Sequence, residues 1–127
     1  MILALTQYSD LGFLFLRLSL AAIFIYHALP KLKNSEQMGQ AMGWSTGNVL
    51  VLGAVEFVAS LGMIAGLYVQ VAALLLALVM IGAIYFKIAK WNVPFSAMDK
   101  MGWEFDLILL AASVFILVNG GGMIGLQ

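Results

Sequence analysis

The chain has 127 residues, 64% of them hydrophobic and 9% charged, with six basic residues balancing six acidic ones, a single His and no Cys. An ordinary soluble domain is about half apolar and a quarter charged, so this composition excludes a disordered chain, argues against a soluble globule and leaves no basic surface for nucleic acid. The lack of Cys excludes disulfides, thiolate metal sites, iron–sulfur clusters and thiol redox chemistry within the chain.

A membrane-spanning helix needs about 20 mostly apolar residues, because it rises about 1.5 Å per residue across about 30 Å of hydrocarbon. Residues 11–29 are apolar apart from Arg17 and His27 and stop at Pro30, beside Lys31 and Lys33, which predicts a first span. No Lys or Arg precedes Arg17, so this start lacks the basic region of a cleavable signal and reads as a retained helix. Residues 34–43 read as a short surface helix, with Trp44 dipping back toward the bilayer. Residues 49–67, interrupted by Glu56 and Ser60, and 69–86, with no charge before Lys87, predict spans two and three, joined by a turn at 66–68. The following connection holds Val93, Phe95, Met98, Met101 and Trp103 and is too apolar for a freely solvated loop, so it is expected to cover one end of the bundle. Residues 104–119 predict a fourth span, whose shorter apolar stretch reaches span length with its ends in the interface. Gly120, Gly121 and Gly122 read as a helix cap and flexible exit, since they lack the Lys and the Ser or Thr of a phosphate-binding loop. The expected fold is all-α, a single transmembrane domain over residues 1–127 built as a four-helix bundle of antiparallel, up-and-down spans with short loops.

With four spans, both termini share one side with the 66–68 turn. Lys31, Lys33, Lys87, Lys90 and Lys100 all fall on the other. By the positive-inside rule the lysine-rich loops are cytoplasmic and both termini lie outside an inner membrane. Tyr26, Trp44, Tyr85, Trp91 and Trp103 gather at the lysine side and Tyr8 and Tyr68 at the other, as interfacial anchors do.

Packing cannot explain the charges inside the spans. An ionised group at such depth costs from about 2.5 kcal/mol upward, so it faces the protein interior and finds a partner. The expected partners are Arg17 and Glu56, on adjacent antiparallel spans. Such a pair either fixes helix register or serves a functional site. At about 100° per residue, Arg17, His27 and Lys31 share one stripe of the first helix, and the stripe approaches Glu104, with Asp106 nearby, at the start of the fourth. Arg17, His27, Lys31, Glu56 and Glu104 thus form a candidate intramembrane polar site, suited to relaying protons or holding the head of a quinone or another amphipathic molecule. His27 alone reads equally as a helix-end cap. Gly53, Gly62 and Gly66 mark helix packing surfaces, within one chain or between chains. Catalytic residues are not identifiable from the sequence, and one His without Cys predicts no metal site.

Leu16-Arg17-Leu18 through Phe24, His27 and Pro30-Lys31-Leu32, then Glu56 with Gly62 and Gly66, an apolar third helix, Gly102-Trp103-Glu104 and a glycine-rich exit, occur in the order found in the DoxX family of small four-helix membrane proteins, which this chain resembles. That family takes its name from a subunit associated with quinone-linked sulfur oxidation. The resemblance implies an accessory, quinone-associated subunit of a membrane redox complex, with lipid and other membrane subunits, or further copies of itself, as partners. One His cannot supply two ligands to a haem, so no redox centre of the chain's own is expected. The alternatives are a purely structural subunit of a larger assembly and a small proton-coupled transporter. Small multidrug transporters of similar size carry their key Glu in the first helix, where this chain has Arg17.

Overall fold

The computed structural model describes residues 2–126, most of them helical and none in a strand. A 3-10 segment, Ile2–Tyr8, leads into α1 (Ser9–Lys33), followed by α2 (Ser35–Met42), α3 (Thr46–Ala65), α4 (Val69–Tyr85) and α5 (Trp103–Asn119). α4 runs on into one π-helical stretch, Phe86–Lys90.

Each boundary has a local cause. α1 does not stop at Pro30 but continues through it to Lys33. The proline lies in the last turn, where Asn34 N–H closes the end on the Pro30 carbonyl at 2.7 Å and Lys31 and Lys33 suit the negative pole of the helix. α2 is the expected surface helix and ends at Gly43 in the left-handed conformation. Ser45 caps α3 by accepting the Asn48 N–H at 3.2 Å. Gly66, at φ 73°, and Tyr68, at φ 49°, make the tight turn into α4.

α1 packs along α3 and α4 along α5, and the α3–α4 contact joins the two pairs. The core mixes large side chains, Leu20, Phe24, Met63, Leu76 and Ile116, with Ala21, Ala59, Ala72 and Ala73, small residues that let helix backbones approach. The glycines read as packing surfaces are used inside the chain. A Cβ on Gly53 would meet the Lys31 Cβ at 2.9 Å, and one on Gly62 would meet the Leu67 carbonyl oxygen at 2.9 Å.

Among the described residues, three helical stretches are long and apolar enough to cross a membrane: Ile2–Lys33, Thr46–Ala65 and Val69–Lys90. Their outer faces expose large apolar side chains such as Phe15, Val58 and Leu78, as lipid-facing helices do. The fourth expected span corresponds to α5, which is apolar but shorter, at 17 residues.

Candidate functional site

The two ends of the bundle treat their charges differently. At the end carrying the chain termini, α3 stops at Ala65 and leaves its last four carbonyls without helical partners. All four are satisfied. Gly62 O accepts from Gly66 N–H and Leu67 N–H, Met63 O from Arg17 Nε at 2.9 Å and Ile64 O from Arg17 Nη2 at 3.4 Å, and Ala65 O from Leu126 N–H at 2.9 Å. Arg17 Nη1 also donates to Gly121 O and Ile124 O. The segment 120–126 is therefore no flexible exit but a strap across this end, further held by Met123 N–H on Asp10 Oδ1 at 2.9 Å. Glycines let it lie close: a Cβ on Gly66 would meet Gly125 Cα at 2.6 Å, and one on Gly121 would meet the Arg17 side chain at 2.9 Å.

Arg17, only 1% exposed, thus binds backbone carbonyls and does not pair with Glu56. The cause is register. Its carbonyl partners lie seven and eight residues beyond Glu56 along α3, roughly 10–12 Å at 1.5 Å per residue, and the orphaned end of α3 offers a planar guanidinium several acceptors at once.

The lysine-rich end instead encloses a cavity of about 430 Å³, within the range of small-molecule sites. Two ion pairs line it. Gly53 admits the stem of Lys31, whose Nζ lies 2.7 Å from Glu56 Oε1. Lys87 Nζ lies 2.6 Å from Asp106 Oδ2. Glu56 and Asp106 are 1% and 4% exposed, and both lysine side chains are largely covered. Lys31 Nζ also donates to His27 O, and Lys87 Nζ to Met101 O, each at 3.3 Å. His27 lines the cavity and faces Phe105 with ring centroids 5.5 Å apart.

Aromatic rings complete the wall. Trp44 meets Phe86 at 5.0 Å and Phe86 meets Trp91 at 5.6 Å between centroids. The π-helical stretch explains the second contact. In an α-helix, residues five apart point about 140° away from each other, whereas here Trp91 N–H bonds the Phe86 carbonyl at 2.8 Å and both rings line one cavity. The connection after it folds back as its composition suggested, with Phe95 against Trp103 at 4.6 Å and Phe95 O accepting Glu104 N–H at 3.0 Å.

Of the five residues assigned to the polar site, His27, Lys31 and Glu56 line the cavity, while Arg17 holds the opposite end of the bundle. Glu104 is exposed and lies outside the cavity, and Asp106 takes the place expected of it. Two residues along a helix are about 200° apart around it, so α5 can turn only one of these carboxylates inward. Lys87 was legible as a cation at a helix end but not as a partner, because the π stretch that places it leaves no sequence pattern.

No curated protein and no solved structure matches the chain. The profile of the DoxX family matches residues 12–91, more than half of the sequence, taking in most of α1, all of α2 to α4, both cavity lysines and Glu56. The chain belongs to the DoxX family of membrane proteins.

Proposed function

We propose that this protein is a four-span inner-membrane subunit that holds the ring of a quinone-like molecule in the cavity at its lysine-rich end and serves a membrane redox complex without a redox centre of its own. The observation that carries this reading is the cavity itself. Two Lys–carboxylate pairs and His27 stand among Phe24, Trp44, Phe86, Trp91 and Phe105, so polar donors sit inside an otherwise apolar, ring-lined space.

α5 serves as the fourth span. It runs antiparallel to α4, delivers Asp106 to the cavity, and near its end Ile116 O accepts from Gly120 N–H and Leu117 O from Gln70 Nε2 at 2.8 Å. With four spans, the positive-inside rule makes the cavity end cytoplasmic. A cytoplasmic redox enzyme or a neighbouring membrane subunit would then exchange electrons with the bound ring. A reporter fused after Gln127 is expected to be active outside the cytoplasm; cytoplasmic activity would overturn the orientation.

The binding test uses the detergent-purified protein and 1,4-naphthoquinone. Trp44 and Trp91 line the cavity, so binding is expected to quench tryptophan fluorescence saturably, and Trp91→Phe to remove much of the change. Quenching that rises linearly with ligand, as it does for free indole, would sink the assignment.

A further inference from the structure

The packed pairs α1–α3 and α4–α5 wall the cavity on two sides, and contacts close most of the rest. Toward the strap its floor is Phe24, Met80 and Leu109, all buried. Between α1 and α5, the rings of His27 and Phe105 face each other. At the lysine-rich end Trp44 meets Phe86 and Phe86 meets Trp91, and Lys87 Nζ holds the 91–102 connection beside them through Met101 O.

The seam between α3 and α4 is different, because the two helices start close and then part. Beside the turn that joins them, a Cβ on Gly62 would meet the Ala72 Cβ at 3.6 Å. About ten residues back along α3 and on along α4, roughly 15 Å at 1.5 Å per residue, stand Leu52 and Gly82. A Cβ on Gly82 would meet nothing within 4 Å. Both residues line the cavity, and so does Leu78, one turn before Gly82, although it is 56% exposed. A residue that lines a cavity and also faces outward marks its mouth.

This mouth lies at hydrocarbon depth. Phe86 and Lys87 stand where interfacial residues belong, and Gly82 and Leu78 lie one and two turns further in, about 6 and 12 Å. A glycine inside a helix is less stable than an alanine. No neighbour of Gly82 needs the room, so its effect is to leave a slot bordered by Leu52 and Leu78. Aliphatic borders suit a hydrocarbon chain and leave a polar group without a partner.

We infer that the cavity opens sideways into the lipid between α3 and α4, and that it takes a bilayer-dissolved molecule whose single aliphatic chain lies in the slot over Gly82. The inference rests on the reading of the cavity as a ligand site and adds to it a route and a chain, whichever head group is bound.

The test uses the protein in lipid nanodiscs, with affinities expressed per mole of lipid so that partitioning cancels. The probes are 1,4-naphthoquinone and 2-decyl-1,4-naphthoquinone, which share a head and differ by a chain, read by tryptophan quenching. Gly82→Leu is a change that a helix accepts readily. It is expected to lower the affinity of the decyl compound relative to the unsubstituted one about tenfold or more, because the new side chain fills the slot. Gly12→Leu, at a helical glycine of α1 with equally open surroundings, is expected to leave that ratio within about twofold. An unchanged ratio in Gly82→Leu, or an equal fall in Gly12→Leu, overturns the inference while the cavity stands as a ligand site. If neither compound binds the unaltered protein, the ligand-site reading fails and takes the chain with it. The opening itself is then decided by a nitroxide on Gly82→Cys, the only thiol in such a chain. More frequent collision with dissolved oxygen than with a water-soluble nickel chelate upholds a mouth onto lipid, and the reverse order overturns it.

Discussion

The end of the bundle that holds the termini and the end that holds the lysines both bury charge, in opposite ways. At the first, one cation is spent wholly on backbone carbonyls that the end of α3 and the 120–126 strap would otherwise leave unbonded in an apolar surrounding. Four of its five N–H donors meet carbonyls, and glycines at 66, 121 and 125 bring the backbone close around it. At the second, two cations meet two carboxylates beside open space. A buried charge that closes backbone accounts is structural. One that is paired and still faces a cavity is available for chemistry.

This contrast is broken most directly at Arg17. Arg17→Met strands the carbonyls of Met63, Gly121 and Ile124, and at about 1–3 kcal/mol for each buried unpaired acceptor the expected loss is about 3 kcal/mol or more, read as reversible unfolding in mixed micelles. Amide exchange at Met123 and Leu126 should rise as the strap loosens. Arg17→Lys is expected to recover only part of the loss, since a compact ammonium cannot reach carbonyls on α3 and the strap together as a planar fork does. Unchanged stability in Arg17→Met would erase the distinction between the two ends.

At the cavity end the expected pattern is reversed. Glu56→Gln alone leaves Lys31 buried without its counter-charge, and breaking such a pair costs about 3–5 kcal/mol in a fully buried setting. Replacing both partners, as in Lys31→Met with Glu56→Gln, is expected to cost about 1 kcal/mol or less. Arg17 has no such compensating substitution, because its partners are main-chain groups. Next in size comes Gly66→Ala, expected to cost about 1–3 kcal/mol, since the new Cβ would sit 2.6 Å from Gly125 Cα at a residue with φ of 73°. Its effect should fall on strap exchange rates and leave the affinity of the cavity for 1,4-naphthoquinone within about twofold; a larger change would show that the two ends are coupled.

Much of this organisation was legible in the order of residues. The apolar runs marked the long helices, the polar 34–43 segment marked α2, and helical spacing put Arg17 and Lys31 on a common stripe that does face α3. The partner of Arg17 was not legible, for a definable reason. Estimating depth from where each span begins assumed that side-chain charges pair with each other, whereas α3 has four orphan carbonyls at its end and the nearest cation goes to two of them. Lys31, whose Cβ stands beside Gly53, was left to reach Glu56 a turn further in. Counting unsatisfied carbonyls, together with the glycine cluster after residue 119, would have signalled the strap. No count would have signalled the π stretch, whose Phe86 packs against Trp44 and Trp91 from outside the helix's own spacing.

The smallest expected effect separates the two carboxylates at the start of α5. Glu104 and Asp106 have the same charge, lie two residues apart and suit the positive pole of the helix equally well. Helix dipole alone would therefore give their amide variants the same consequence. Their surroundings differ: Glu104 is exposed beside Lys100 in a shallow depression, and Asp106 is buried against Lys87 in the cavity. Glu104→Gln is expected to change stability by no more than about 0.5 kcal/mol and to leave the affinity for 1,4-naphthoquinone unaltered. Asp106→Asn should lower that affinity several-fold, because Lys87 loses the group that positions it. Equal responses in the two variants would mean that α5 contributes charge to this end of the bundle without contributing geometry, and the cavity would then be set by α1, α3 and α4 alone.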